Sequence, residues 1–207
     1  MSSPTDASDA PRLLPSQPWI VQLRQQLEMP SPRRLPPTDA RDAAVLVPLY
    51  VDAGQMWTLL TRRAEHLPTH KGQIAFPGGS LELGESSWDA AVREAHEEIG
   101  IDPSLVLRLG DLDEAETPSG FRIVPCVGAV PHPLELTINR DEIDEVFPVP
   151  IQALADPRLV EDRAVLIDGV ERMLRIYHVG RAQIWGLTAR IVHNLLIRLG
   201  FEGGDEG

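Results

Sequence analysis

Apolar residues recur along this chain with two different periods. Residues 44–50 and 56–61 are short, nearly continuous apolar runs, the pattern of buried strands, and the segment 52–55 between them contains Gly54. Together they predict a hairpin. Further strands are expected at 74–76, 105–109, 121–130 and 143–149, although Pro125 argues for an edge position or a bulge in the third of these. Residues 164–167 and 172–179 flank Asp168-Gly169, a second hairpin signal. Over 86–99 the period lengthens. There Trp88, Ala91, Val92, Ala95 and Ile99 fall on one stripe at roughly 100° per residue, which predicts a helix. Residues 187–199 predict a second helix, stopped by Gly200, and 151–155 a short one.

The N-terminal stretch is different in kind. Residues 1–39 are rich in Pro, Ser and Asp and read as a tail and linker, broken by a short amphipathic helix at 18–27 with Trp19, Ile20, Leu23 and Leu27 on one side. A single domain is expected over 40–200, and 201–207 as a C-terminal tail. Strands mixed with two substantial helices predict an α/β (α+β) sandwich built on a mixed sheet.

Charge narrows the partners. Against 31 Asp+Glu stand 19 Lys+Arg, a formal net charge of −12. That field repels nucleic-acid backbone and anionic membrane, so neither is an expected partner. A small polyanionic substrate would need local relief, from a metal ion or clustered arginines. Cys126 is the only cysteine, which excludes an internal disulfide, and its apolar surroundings predict a buried, inert thiol. No basic segment followed by an apolar stretch opens the chain, and the apolar run at 43–49 is too short to span a bilayer. A cytoplasmic monomer or homodimer is therefore expected.

The helix at 86–99 carries the chemistry. Ser86 or Ser87 can cap its start, Asp89 suits the positive end of its dipole, and Gly100 with Pro103 ends it. Glu94, Glu97 and Glu98 stand at i, i+3 and i+4, on a side away from the apolar stripe. Like charges so spaced cost about 0.2–0.5 kcal/mol per pair, and they crowd the negative end of the helix. The bland alternative is a solvated acidic face in which Arg93 merely pairs with Glu97. A divalent cation such as Mg²⁺ or Mn²⁺ would instead turn the repulsion into ligation.

These residues resemble, position for position, the signature of Nudix hydrolases: Gly79, five residues, Glu85, seven residues, Arg93-Glu94, then Glu97-Glu98 and Gly100-Ile101. The resemblance implies an α/β/α sandwich and Mg²⁺- or Mn²⁺-dependent hydrolysis of a nucleoside diphosphate joined to another group. It implies Glu94 and Glu98 as principal metal ligands, Glu97 as a further ligand or base, and the Gly79 carbonyl as an additional ligand. Arg93 and Glu85 would form an ion pair that orients helix against loop. A second acidic cluster at 141–145 offers Glu142 and Glu145 as a base or extra ligand, the alternative being a solvated loop. His178 and His193 show no readable partner and are taken as structural.

Just upstream, Leu59-Leu60-Thr61-Arg62-Arg63-Ala64, Gly72 and Phe76-Pro77-Gly78-Gly79 are similar to the extra motif of the coenzyme A pyrophosphatase branch. Thr117-Pro118-Ser119-Gly120-Phe121-Arg122 and Ile184-Trp185-Gly186-Leu187-Thr188-Ala189 are similar to that branch too. The branch motif has an arginine four residues after Ala64, where this chain has Pro68. Arg62, Arg63, Lys71 and Gly72 are the substrate-binding candidates, since a local basic island suits the phosphates of coenzyme A. Cleavage to 3′,5′-ADP and 4′-phosphopantetheine, free or acylated, is the expected reaction. Hydrolysis of an ADP-sugar, dinucleotide or dNTP, and nucleotide binding without catalysis, are the alternatives.

Overall fold

The protein is described by a computed structural model over residues 13–167 and 169–201. The outer parts of both expected tails, and Asp168 of the second expected hairpin, lie outside these residues. In chain order, α1 (Pro18–Glu28) precedes β1 (Arg41–Asp52), β2 (Gln55–Arg63), β3 (Ile74–Ala75) and β4 (Gly78–Ser80). Then come α2 (Ser87–Ile99), β5 (Leu107–Asp111), β6 (Ala115–Glu116), β7 (Phe121–Ala129), β8 (Ile143–Pro150) and α3 (Ile151–Leu154). A smaller sheet of β9 (Val160–Ile167), β10 (Val170–Val179) and β11 (Ala182–Ile184) leads into α4 (Gly186–Arg198).

The main sheet is mixed, because β1 runs parallel to β7 while its other pairs are antiparallel. Alternation along β1 sends Ala44, Leu46 and Tyr50 to one apolar cluster, where they meet Ala91, Ala95 and Ile99 of α2. It sends Val47 and Leu49 to the other, with Ile20 and Leu27 of α1, Leu154 of α3 and Val192 and Leu195 of α4. The result is a three-layer α/β/α sandwich. Burial pushes the Cys126 thiol up to about 12, in keeping with an inert core residue.

The sheet forks between β1 and β2. β1 and β2 leave a tight turn at Ala53 and Gly54, pair through Leu49↔Thr58 to Asp52↔Gln55, and then diverge. β8 occupies the far side of β2 from Trp57 to Arg63, so the fork is filled by a wedge: β3 pairs with β2, and β4 with β1. Pro48 sits where β1 changes partner, and its carbonyl accepts the Thr58 hydroxyl at 2.9 Å. Its missing N–H therefore faces the gap, where no ladder bond is lost.

Pro125 follows the same logic and corrects an expectation. β7 is not an edge strand; it lies between β1 and β5, and the bulge in its pairing with β5 falls between Arg108 and Gly110 of the neighbour. The Pro125 carbonyl accepts from Leu112 N at 2.9 Å, just beyond the end of β5 and before β6 begins. Proline is tolerated in a central strand because the interruption falls on its neighbour.

The N-terminal stretch is fastened more closely than its composition suggests. Ile20, Leu23 and Leu27 are buried to 0–2% exposure. Beyond α1, Arg34 pairs with Asp111 at 2.7 Å and Glu114 at 3.2 Å, while Leu35 N donates to Glu114 at 2.8 Å. Among the described residues no helix is long and apolar enough to cross a membrane.

Candidate active site

Helix α2 is placed by its ends as much as by its apolar stripe. The Ser86 side chain accepts from Asp89 N at 3.2 Å. At the other end Gly100 adopts φ 76°, and a Cβ there would come within 2.7 Å of Thr137 N. That close approach lets Thr137 N donate to the Ile99 carbonyl at 3.0 Å and Asn139 N to the Glu98 carbonyl at 2.9 Å. The loop after β7 thus satisfies carbonyls that the helix itself leaves open.

Glu98 departs from the expected pattern. Its place off the apolar stripe predicted an outward-facing carboxylate, yet it is 2% exposed. The wedge is the reason: Gly78 N lies 3.3 Å from one Glu98 oxygen, and Arg63, at the end of β2, faces the other at 3.7 Å. Burial outweighs that help, and Glu94 and Glu142 add repulsion, so the Glu98 carboxyl is pushed up to about 8. Glu94 is also raised, first by burial, against the pull of Arg93. Glu97 stands half exposed on the rim.

Gly79 is pressed against Glu94: a Cβ there would fall 2.5 Å from its carboxylate carbon. Gly78 is equally confined, since its Cβ would lie 2.3 Å from the Ala44 carbonyl of β1. Backbone contact with β1 demands glycine at 78, whereas a side chain at 79 would have to displace the Glu94 carboxylate. Arg93 grips Glu85 in a bidentate pair at 2.9 and 3.0 Å and donates to the Ser80 carbonyl at 3.1 Å, fixing the loop before α2. Its remaining Nη1 bridges Glu94 at 2.9 Å and Glu97 at 3.3 Å.

The two acidic-loop candidates part company. A β-bulge makes Arg63 pair with Ile143 but Arg62 with Glu145. Arg63 and Ile143 thereby turn to the α2 layer, and Glu142 stays close enough to raise Glu94 and Glu98. Arg62 and Glu145 turn to the other layer. There Glu145 pairs with Arg181 and, at 4.0 Å, with Arg62, whose guanidinium lies 5.0 Å from the Phe147 ring centroid. Lys71 is exposed beside Gly72, whose N–H donates to the Arg63 carbonyl at 3.0 Å. His178 pairs with Glu161 at 2.9 Å, and His193 meets Arg175 at 2.8 Å; neither partner was readable from spacing.

Among the described residues no three His, Cys, Asp or Glu side chains converge on a preformed cation position. Arg93 and Arg63 hold the carboxylates instead. The donor set still suits Mg²⁺ or Mn²⁺, which take oxygen ligands and complete their shells with water and substrate phosphate rather than an all-protein cage. Two carboxyl groups raised by burial and by neighbouring carboxylates, beside the Gly79 backbone, fit such an ion.

Residues 40–169 match the NUDIX domain family. The chain is a Nudix hydrolase. Family membership makes it a pyrophosphohydrolase, and Nudix hydrolases generally use divalent metal ions such as Mg²⁺ or Mn²⁺. A protein of Enterobacter sp., named uncharacterized Nudix hydrolase NudL, is 34% identical over 163 residues, covering 78% of this chain and 84% of its own. Its namesake in Pectobacterium atrosepticum is 37% identical over 180 residues, covering 85% and 91%. Among solved structures, a MutT/nudix family protein from Enterococcus faecalis aligns with a TM-score of 0.53 at 20% identity, over 81% of this chain and 65% of that one. A Deinococcus radiodurans protein aligns at 0.50 and 16%, over 77% and 87%. These two neighbours bear on the fold alone.

Asn139 and the docking of Thr137 escaped the sequence reading. The one local signal was Asn139 two residues before Asp141, the spacing of an Asx turn. Nothing local pointed to the burial of Glu98.

Proposed function

We propose that this Nudix hydrolase cleaves the diphosphate of coenzyme A or an acyl-CoA, releasing 3′,5′-ADP and 4′-phosphopantetheine or its acyl form. The observation that carries the reading is the Arg63–Glu98 ion pair at 3.7 Å. It joins the upstream motif, which ends β2 and supplies the wedge, to the carboxylates of α2. Arg63 Nε is buried without a hydrogen-bond partner, so its surroundings leave this guanidinium incompletely matched.

In this reading Glu94 and Glu98 hold the divalent cation, with Glu97 and the Gly79 carbonyl beside them. When bound, the cation neutralises charge on the diphosphate and makes an attacking water more acidic. Arg63 takes up a phosphate oxygen, and Lys71 supplies charge at the mouth, in place of the arginine that Pro68 replaces. Arg93 keeps the loop and helix in register through Glu85. Glu142 accepts the proton of the attacking water, since it faces the same cluster without an arginine on its carboxylate among the described residues. Glu145, turned to the opposite layer, is not assigned a catalytic part.

The test is product analysis after incubation with CoA, acyl-CoAs, NADH, ADP-ribose and dNTPs, each with Mg²⁺ and with Mn²⁺. Formation of 3′,5′-ADP from CoA is expected. Brisk turnover of another substrate with CoA left intact would overturn the assignment.

A further inference from the structure

We propose that Asn139 is a positioning residue for hydrolysis, holding the Glu142 carboxylate against Glu94 and Glu98. The inference rests on the reading of Glu142 as the base. Glu142 immediately precedes β8, in the loop that docks on the C-terminal end of α2, the helix that carries Glu94 and Glu98. Asn139 Nδ2 donates to Glu142 Oε1 at 3.2 Å and so fixes that carboxylate relative to the helix.

The same residue anchors the loop to the helix that bears the other carboxylates. Asn139 N donates to the Glu98 carbonyl at 2.9 Å. Its own carbonyl accepts from Glu142 N at 3.1 Å and Ile143 N at 2.9 Å, and its Oδ1 accepts from Asp141 N at 3.1 Å. Every polar group of Asn139 is thereby used, and the side chain must present an acceptor and a donor on one short amide. Aspartate supplies the acceptor without the donor. Alanine supplies neither. Gly100 belongs to the same device, because only a residue without Cβ lets Thr137, two residues before Asn139, seat on the helix end.

A double-mutant cycle tests this on the full chain. Asn139→Ala is expected to lower kcat by about 10- to 100-fold, the loss of a hydrogen bond to a charged group, with KM changed less than about threefold. In a Glu142→Gln background the same change should lower kcat less than about threefold. Asn139→Asp, which keeps the Asp141 turn, should behave like alanine, so a folding defect in one variant does not decide the matter. Mn²⁺ binding to the substrate-free proteins, read by electron paramagnetic resonance, gives a second cycle: Glu142→Gln and Asn139→Ala should each weaken it, and the double variant no further. Additive effects in this Mn²⁺ cycle overturn the proposal. Wild-type kcat in Glu142→Gln overturns the base assignment instead, and leaves the Mn²⁺ cycle to judge Asn139.

Discussion

Helices α2 and α4 are both 13 residues long, flank the sheet on opposite faces, and each carries a buried charged side chain in its last turn. Arg198 of α4 is a cation at the negative end of a dipole. Its guanidinium donates to Asp113 at 2.7 Å and to the Pro30 carbonyl, binding the N-terminal stretch to the body of the domain. Glu98 of α2 is an anion at the same kind of end. Among the described residues it has one guanidinium at 3.7 Å and one N–H at 3.3 Å, against the repulsion of Glu94 and Glu142. A charge buried for structure is matched by its surroundings. One buried with its compensation incomplete marks where the molecule expects a further positive partner.

Exchanging the unmatched charge should separate function from folding. Glu98→Gln is expected to lower kcat by about 100-fold or more, several kcal/mol of lost charge stabilisation. The metal-free protein should keep its fold, with a Tm at neutral pH no lower than the parent's, because the variant removes a carboxylate that burial already disfavours. Steady-state kinetics beside thermal unfolding decide this; a large drop in Tm with normal kcat would make Glu98 a structural charge like Arg198.

The neighbouring arginines offer a second contrast, since they point to opposite layers. Arg63→Ala should raise KM by about 10- to 100-fold, whereas Arg62→Ala, already engaged with Glu145 and Phe147, should change it less than about threefold. Equal effects would show that the face of the sheet does not select the phosphate contact.

Protons offer a third test. A carboxyl held at about 8 in the fold, against 4.5 unfolded, binds more protons in the native state between those values. The metal-free protein therefore loses stability as pH rises through that window. A cation must displace the same proton, so each pH unit below about 8 should weaken Mg²⁺ or Mn²⁺ binding by up to about tenfold. Calorimetric titration at pH 6, 7 and 8 (approximate steps across the window) would show it; pH-independent affinity would argue that Glu98 is ionised without the metal.

These contrasts were only partly visible beforehand. Apolar runs announced β1, β2 and β7, and the period of Ala91, Val92, Ala95 and Ile99 announced α2, because burial of one face is written locally. The spacing of Glu94, Glu97 and Glu98 was equally local. Three features were not. The wedge strand β4 is Gly-Gly-Ser, with no strand propensity, and exists because β1 and β2 diverge. Glu98 reads as an outward position until that wedge covers a second face of the helix. The bulge between Arg62 and Arg63 separates Glu142 from Glu145, and no residue type in the run signals it.

The smallest expected effect completes the comparison from the structural side. Arg198→Ala removes the guanidinium from Asp113, which keeps only the Arg33 N–H among the described residues' donors to that oxygen, and from the Pro30 carbonyl, at about 1.5–3 kcal/mol for hydrogen bonds to a charged group. At about 2–4 °C per kcal/mol for a chain of this size, Tm should fall by about 3–12 °C. The loss sits between α4 and the N-terminal stretch, on the face of the sheet opposite α2. Therefore kcat, KM and Mn²⁺ affinity should stay within about twofold at temperatures where the variant is folded. A kinetic defect as large as that of Glu98→Gln would mean that the N-terminal stretch reaches the hydrolytic site through the sheet, and that the two helix ends act as one unit.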